Sequence, residues 1–306
     1  MSVELTDGQY DLDGTLLGDG TAYVVRAFED GGLPGVRIGD SSDPYGDGVR
    51  FGEDLFDGMV CDLDVMVETA PGVPAWDAVR ALRRVWRGDT VRRSPGAVTT
   101  LRRKVPGMDT RKVYGRPRKF TPVMSRGSGV GLVPVVADFQ CADDRWYADT
   151  PETLVLSIIP ASTGGIVTAT GGGIVSPITT AAVTERPGIL TNVGDVDAWP
   201  VLTIAAGAGG ALTNPALEYV VDGARAWIVQ LDATLEAGQS VTIDARPWAR
   251  TVRRETGASW SGKRARVSTP LRSVTIPPGQ GSILFRGTSP SGTAQAEVSF
   301  EAAYAA

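Results

Sequence analysis

Histidine is absent from all 306 residues, which removes the usual general base near neutral pH and the commonest zinc ligand. Only two cysteines are present, Cys61 and Cys141. They lie far apart in sequence and have no Cys-x-x-Cys partner, so neither a disulfide framework nor a zinc knuckle is supported, and two buried free thiols are expected. No apolar run is long enough to cross a bilayer. The opening residues MSVELTDGQY lack the basic and apolar segments of a secretory leader. The sequence therefore predicts a chain that is neither conventionally exported nor inserted in a membrane. The glycine clusters Gly164-Gly165 and Gly171-Gly172-Gly173 are not followed by Lys-Ser/Thr, as a phosphate-binding loop requires. Ser125-Arg126-Gly127-Ser128-Gly129 is no nucleophile elbow.

What is abundant is turn and strand material. There are 38 glycines and 20 prolines beside 42% hydrophobic residues. That combination, rich in Val, Ile and Thr, reads as short strands joined by turns, and the length suits two domains. The net charge of -5 conceals a division. Residues 1–75 carry 16 Asp/Glu against 3 Arg, a net of -13, whereas residues 76–126 carry 15 Arg/Lys against 3 Asp, a net of +12. Opposed blocks of this size either neutralise each other within one fold or let an acidic surface on one subunit meet a basic surface on the next. The basic block has no zinc-finger, helix-turn-helix or RNA-recognition signature.

Along the chain, Asp-Gly turns separate short extended pieces up to Phe28. Residues 31–57 read as a long loop with brief strands. Asp40 to Gly48 has the look of a calcium loop, but no glutamate closes it at the spacing an EF-hand needs. Met59 to Glu68 alternates through Cys61, Leu63, Val65 and Val67, as a half-buried strand does. One helix is expected over 76–87. Trp76, Val79, Leu82, Val85 and Trp86 share a face, Pro74 stands at its entrance and Gly88 at its end. Strands follow at 97–102, 112–123 and 132–140. The sequence thus sets a β domain at 1–158, a Thr/Gly/Pro-rich connector at 159–190, and a β-sandwich at 191–306 whose closing strand runs from Ala294 to Tyr304.

The carboxylate pairs Asp62/Asp64, Asp143/Asp144 and Asp195/Asp197 invite a hydrolytic reading. Asp62 and Asp64 lie opposite the apolar face of their strand and so fall on the solvent side. Nothing else gathers around them, so no catalytic residue, metal site or cofactor is assigned. The most distinctive stretch is VVADFQCADDRWY, residues 135–147. Asp143 is placed to accept backbone hydrogen bonds from the following turn, Arg145 to clamp a carboxylate, and Trp146 and Tyr147 to fill a core or an interface. Together with Trp76 and Trp86 these are the structural or interface candidates. Trp248 and Trp260, near turns of the second domain, are the candidate glycan contacts.

Phe139, Cys141, Asp143, Arg145 and Tyr147 at the end of a strand form one familiar pattern. Pro200 to Ile204 with Gly207 to Gly210 and Asn214-Pro215 form a second, and Pro278-Gly279, Ile283, Phe285 and Tyr304 a third. In these three places the chain resembles the distal tail proteins of siphophages, the long-tailed non-contractile bacteriophages. Asp144 departs from the pattern, since such proteins commonly have proline there. The resemblance implies a mainly β protein. Its N-terminal part is a tail-tube-like, ring-forming β-sandwich domain with one packed α-helix, and its C-terminal part is a galectin-like (jelly-roll) β-sandwich. It further implies a virion protein at the tail tip or baseplate, made in the host cytoplasm, whose hexamer joins the tail tube to hub or fibre proteins while DNA passes through the lumen without specific binding. The alternative it leaves is a carbohydrate-binding tail-tip adhesin or another minor tail protein of the same architecture.

Overall fold

A computed structural model describes residues 3–32, 34–70, 73–124, 126–158 and 186–305. Its contacts divide the chain into two units, Met1–Thr150 with Ala302–Ala306, and Pro151–Glu301.

In the first unit the chain forms β1 (Gln9–Leu12), β2 (Thr15–Gly18), β3 (Tyr23–Glu29), β4 (Val36–Arg37), β5 (Ser41–Ser42), β6 (Val49–Arg50), β7 (Leu55–Phe56) and β8 (Val60–Glu68). After these come α1 (Ala75–Arg87), α2 (Asp89–Arg92), β9 (Thr99–Arg103), β10 (Arg111–Pro122), β11 (Leu132–Cys141) and β12 (Arg145–Ala148). The main sheet is antiparallel in the order β2-β1-β9-β10-β11-β8-β3, with β12 paired to β10. Alternation turns Cys61, Leu63, Val65 and Val67 of β8, and Val133, Val135, Ala137, Phe139 and Cys141 of β11, to one buried face. Onto that face α1 lays Ala75, Val79, Leu82 and Trp86, a stripe at helical spacing.

Two bonds fix the docking. The Trp86 indole donates to the Asp138 carbonyl at 3.2 Å, and the Tyr23 hydroxyl donates to the Ala78 carbonyl at 3.3 Å. Val79 and Leu82 each contribute about 2 kcal/mol gross, and Leu82→Ala would cost about 3 kcal/mol through the void it leaves. Gly88 stops the helix at φ 57, the left-handed conformation that a side chain disfavours. Trp76 and Val85 flank the stripe half-buried. The β10 ladder is broken by a bulge between Pro117 and Phe120, as expected where proline has no N–H to give. Cys61 and Cys141 are buried free thiols with their sulfurs 3.7 Å apart. Their strands are neighbours, which spacing in sequence does not reveal.

The second unit is a β-sandwich. It contains β13 (Glu152–Ser157), β14 (Gly188–Asn192), β15 (Val201–Ala205), β16 (Leu212–Val221), β17 (Ala224–Gln230), β18 (Thr234–Leu235), β19 (Ser240–Asp244), β20 (Thr251–Arg254), β21 (Gly279–Thr288) and β22 (Gln295–Phe300). One sheet runs β13-β22-β15-β19-β20 and the other β14-β21-β16-β17, with β18 on β16. Alternate residues of both sheets are buried, among them Leu202, Ile204, Ile243, Val298, Leu217, Tyr219 and Ile283. Trp227 stacks on Tyr219 with centroids 5.4 Å apart, and its indole donates to the Thr275 carbonyl.

The boundaries differ from those expected at 158 and 191. Residues 152–157 belong to the second unit, because β13 pairs along its whole length with β22. The expected strand from Ala294 to Tyr304 is two strands. β22 ends at Phe300, and β23 (Ala303–Ala305) pairs with β12 in the first unit. The second unit is therefore an insertion between β12 and β23. Residues 188–190 of the expected connector lie in β14, and residues 159–185 of it fall outside the described residues.

Candidate assembly site

The stretch 135–147 is a fastening point, and Asp143 is its hub. Its carboxylate accepts from the Tyr147 hydroxyl and from the backbone N–H of Arg145, the Asx-type turn that lets β11 hand over to β12. Burial pushes the Asp143 carboxyl up to about 6, against the opposing pull of Tyr147 and Arg145. Its backbone carbonyl accepts from Met59 N–H at 3.1 Å, while Cys141 N–H donates to the Met59 carbonyl at 2.9 Å. The Gln140 side chain adds bonds to the Gly58 and Met59 carbonyls at 2.9 and 3.2 Å. A Cβ on Gly58 would stand 2.2 Å from the Cys141 carbonyl oxygen, so only glycine permits this approach. The turn thus clamps the chain at the point where residues 34–57 rejoin the sheet.

β12 sits between β10 and β23, which buries Trp146 and Tyr147. Tyr147 meets Tyr114 edge-on at 5.5 Å. Trp146 is covered by the Arg103 guanidinium, 3.7 Å from its ring centroid, and Arg103 also pairs with Asp30 at 3.1 Å. Phe28 and Tyr10 continue the stack. On β23, Tyr304 carries Arg111 at 3.7 Å.

Arg145 was the expected carboxylate clamp. Its Nε lies 3.5 Å from Asp144 Oδ1, with both side chains partly exposed. The buried two-pronged clamp is Arg102, bonded to Asp149 at 2.8 and 2.6 Å, to Asp11 at 3.1 Å and to the Val3 carbonyl at 2.9 Å. The sequence reading missed Arg102, Arg103 and Arg111. The signal available was alternation: Leu101 and Arg103 of β9 face opposite to Arg102, so one of the paired arginines had to enter a polar pocket.

Residues 34–57 form an arm. β4 pairs with β7 and β5 with β6, each by two residues. Only Pro34 and Asp43 are even half-buried. Ile38, Tyr45 and Phe51 are 70%, 94% and 88% exposed. Asp40 to Gly48 is the tip, where Asp43 Oδ1 accepts from Tyr45 N–H and Asp40 Oδ1 from Gly52 N–H. These carboxylates shape a turn.

The sheet face away from α1 carries a row of like charges. Glu29 stands opposite Asp62, and Asp62 opposite Asp138, across β3, β8 and β11. Loss of water around Asp62, then Asp138 and Glu29, push its carboxyl above the usual aspartate range, with Lys119 pulling the other way. Among the described residues no group of three His, Cys, Asp or Glu is placed to hold a metal ion. Trp248 and Trp260 are half-buried, with Arg246 at 5.6 Å over the first ring and Arg254 at 5.0 Å over the second.

No family model matches the sequence, and no curated protein matches it. Solved structures do. The Dit protein (gp 19.1) of phage SPP1, described as a paradigm of the hub adsorption apparatus in phages infecting Gram-positive bacteria, aligns with 96% of this chain and 98% of its own, with TM-score 0.59 and 12% identity. The phage P2 baseplate in its activated conformation with calcium aligns over 96% and 97%, with TM-score 0.53 and 12% identity. Its strontium form gives 0.52 over the same shares. At such identities the likeness is one of fold, and with these coverages it extends through both units: this chain has the mainly β fold of SPP1 Dit.

Proposed function

We propose that this chain is a structural protein of a bacteriophage tail tip, a distal tail protein whose hexameric ring joins the tail tube to hub or fibre proteins. The observation that carries this reading is the fold shared along the whole chain, with 96% of it aligned to 98% of SPP1 Dit. A domain-sized match would have spoken for one module only. The role is mechanical rather than catalytic. The first unit forms the ring, and the second presents a sandwich to neighbouring proteins of the virion.

The acidic row Glu29, Asp62 and Asp138 supports a lumen-facing assignment for its side of the sheet. Carboxylates opposite one another cost stability, so their placement calls for a use, and a wall of negative sign keeps a phosphate backbone from adhering in transit. The adhesin alternative is not favoured, because guanidinium groups lie over the Trp248 and Trp260 rings that a sugar would stack on. Light scattering with negative-stain imaging of the purified protein tests the reading. Rings of six with an open centre are expected. A monomer at every concentration, with or without purified tail tubes, overturns it.

A further inference from the structure

The main sheet of the first unit carries α1 on one face. On the other, alternation sets Val24 of β3, Met66 of β8 and Pro134 of β11 in one line, since Val24 stands opposite Met66 and Met66 opposite Pro134. Val123 extends the line to a fourth strand. Its N–H donates to the Pro134 carbonyl at 2.7 Å, which continues the β10 register one residue past Pro122. Leu132 and Val136 flank Pro134 on β11 and share its face. Val123, Leu132 and Val136 are 43%, 39% and 40% exposed.

The outer face of an antiparallel sheet is ordinarily polar, so an apolar row across four strands is a surface lacking its second layer. Strands lie about 4.8 Å apart, which makes the row about 14 Å long, and the run from Leu132 to Val136 gives it about the same width. β8 and β11 have neighbours on both sides within the sheet and offer no edge for an added strand. What fits a sheet face is the apolar stripe of a helix, as α1 shows on the far side of the same two strands.

Charge selects which helix. On β8, Asp64 and Glu68 stand two residues to either side of Met66, with Asp64 facing Val136 and Glu68 facing Leu132. Asp62, Glu29 and Asp138 lie beyond Asp64 on the same side of the sheet, and Lys119 offsets that row from β10. Carboxylates therefore border the apolar row on both flanks. Nucleic acid brings neither apolar surface nor positive charge to such a face, whereas a basic amphipathic helix brings both.

We propose that this face seats an amphipathic helix of another protein, about three turns long, whose apolar stripe lies along Val24, Met66, Pro134 and Val123 and whose Lys or Arg side chains reach Asp64 and Glu68. The apolar contacts supply the affinity, and the carboxylates choose the sign of the partner. The inference goes beyond the ring-forming reading, because the face is complete within one subunit.

The probe is a synthetic amphipathic helix of leucine and lysine, with the same peptide carrying glutamate for lysine as its counterpart. Fluorescence anisotropy with the full chain is expected to show binding of the lysine peptide only. L132S/V136S should weaken it by about tenfold or more, with an unchanged thermal melt. D64K/E68K should lose the lysine peptide and take the glutamate peptide, a reversal that also shows this variant to be folded. V155S/I189S, which removes exposed apolar side chains of the second unit, should bind as the wild type does. The proposal is overturned if the wild type does not bind, if L132S/V136S binds like the wild type, if D64K/E68K keeps the preference for lysine, or if V155S/I189S weakens binding equally. Light scattering on the same samples reads the ring separately. A monomer that binds keeps this inference and removes the ring, and a ring that does not bind does the reverse.

Discussion

The Arg103 guanidinium lies 3.7 Å from the ring centroid of Trp146, and Asp30 holds it there at 3.1 Å. This joins β9, β12 and the end of β3 at one point, a half-buried cation over the face of the best aromatic acceptor. Arg103→Ala should lower unfolding free energy by about 2 kcal/mol. Arg103→Lys should recover part of it, since an ammonium keeps the charge but cannot lie flat on the ring. Urea melts of the three proteins make the comparison, and equal midpoints would refute it.

Arg102 should matter more. Its side chain is 8% exposed and binds two carboxylates, so Arg102→Ala leaves buried charges uncompensated, at a cost of about 4 kcal/mol. Arg145→Ala, at a side chain 20% exposed beside Asp144, should cost less than half of that. The reverse order in denaturant melts would make Arg145 the true clamp.

Stability should fall with rising pH through Asp143. Its folded value of about 6 stands above the unfolded 3.8. The folded state therefore binds the proton more tightly, and this contribution is fully present below about pH 4 and lost as pH climbs through about 6. The span is worth about 3 kcal/mol. Asp143→Asn carries no charge at any pH. Relative to it, wild type should lose stability between pH 4.5 and 7.5. Parallel pH profiles for the two proteins would contradict the assignment.

The acidic row predicts a gain. Asp62→Asn removes the middle carboxylate between Glu29 and Asp138, and relief of the facing like charges should add about 0.5 kcal/mol. A calorimetric melt at low salt, where the repulsion is least screened, is the measurement. A loss of stability would mean that the row is held by favourable contacts instead.

Local pattern made much of this fold legible. The alternation of Cys61 to Val67, the Ala75–Arg87 stripe and the glycine that ends it are all signals carried within a few residues. What escaped depends on long-range pairing. Val298, Phe300 and Ala302 continue one period-two pattern with no glycine or proline to mark a break, yet Phe300 pairs with Glu152 and Ala303 with Tyr147. The clamp escaped for a related reason. Arg102, Arg103 and Arg145 are the same residue type in similar strands. Which one meets Asp149 and Asp11 is decided by which strand lies at the edge of β1, and that is a property of sheet order. The aspartates of residues 135–147 were conspicuous in sequence, whereas the exposed arm looked like ordinary loop because a solvated turn and an unpartnered one share a composition.

The return of β23 to β12 also sets an order in time. Every other strand of the first unit is in hand by Ala148, but the edge beside Trp146 and Tyr147 is completed only when residues 303–305 have been made. A nascent chain halted anywhere in the sandwich would leave β12 open along one side. The sheet of the first unit is thus closed along that edge only after translation has passed the sandwich.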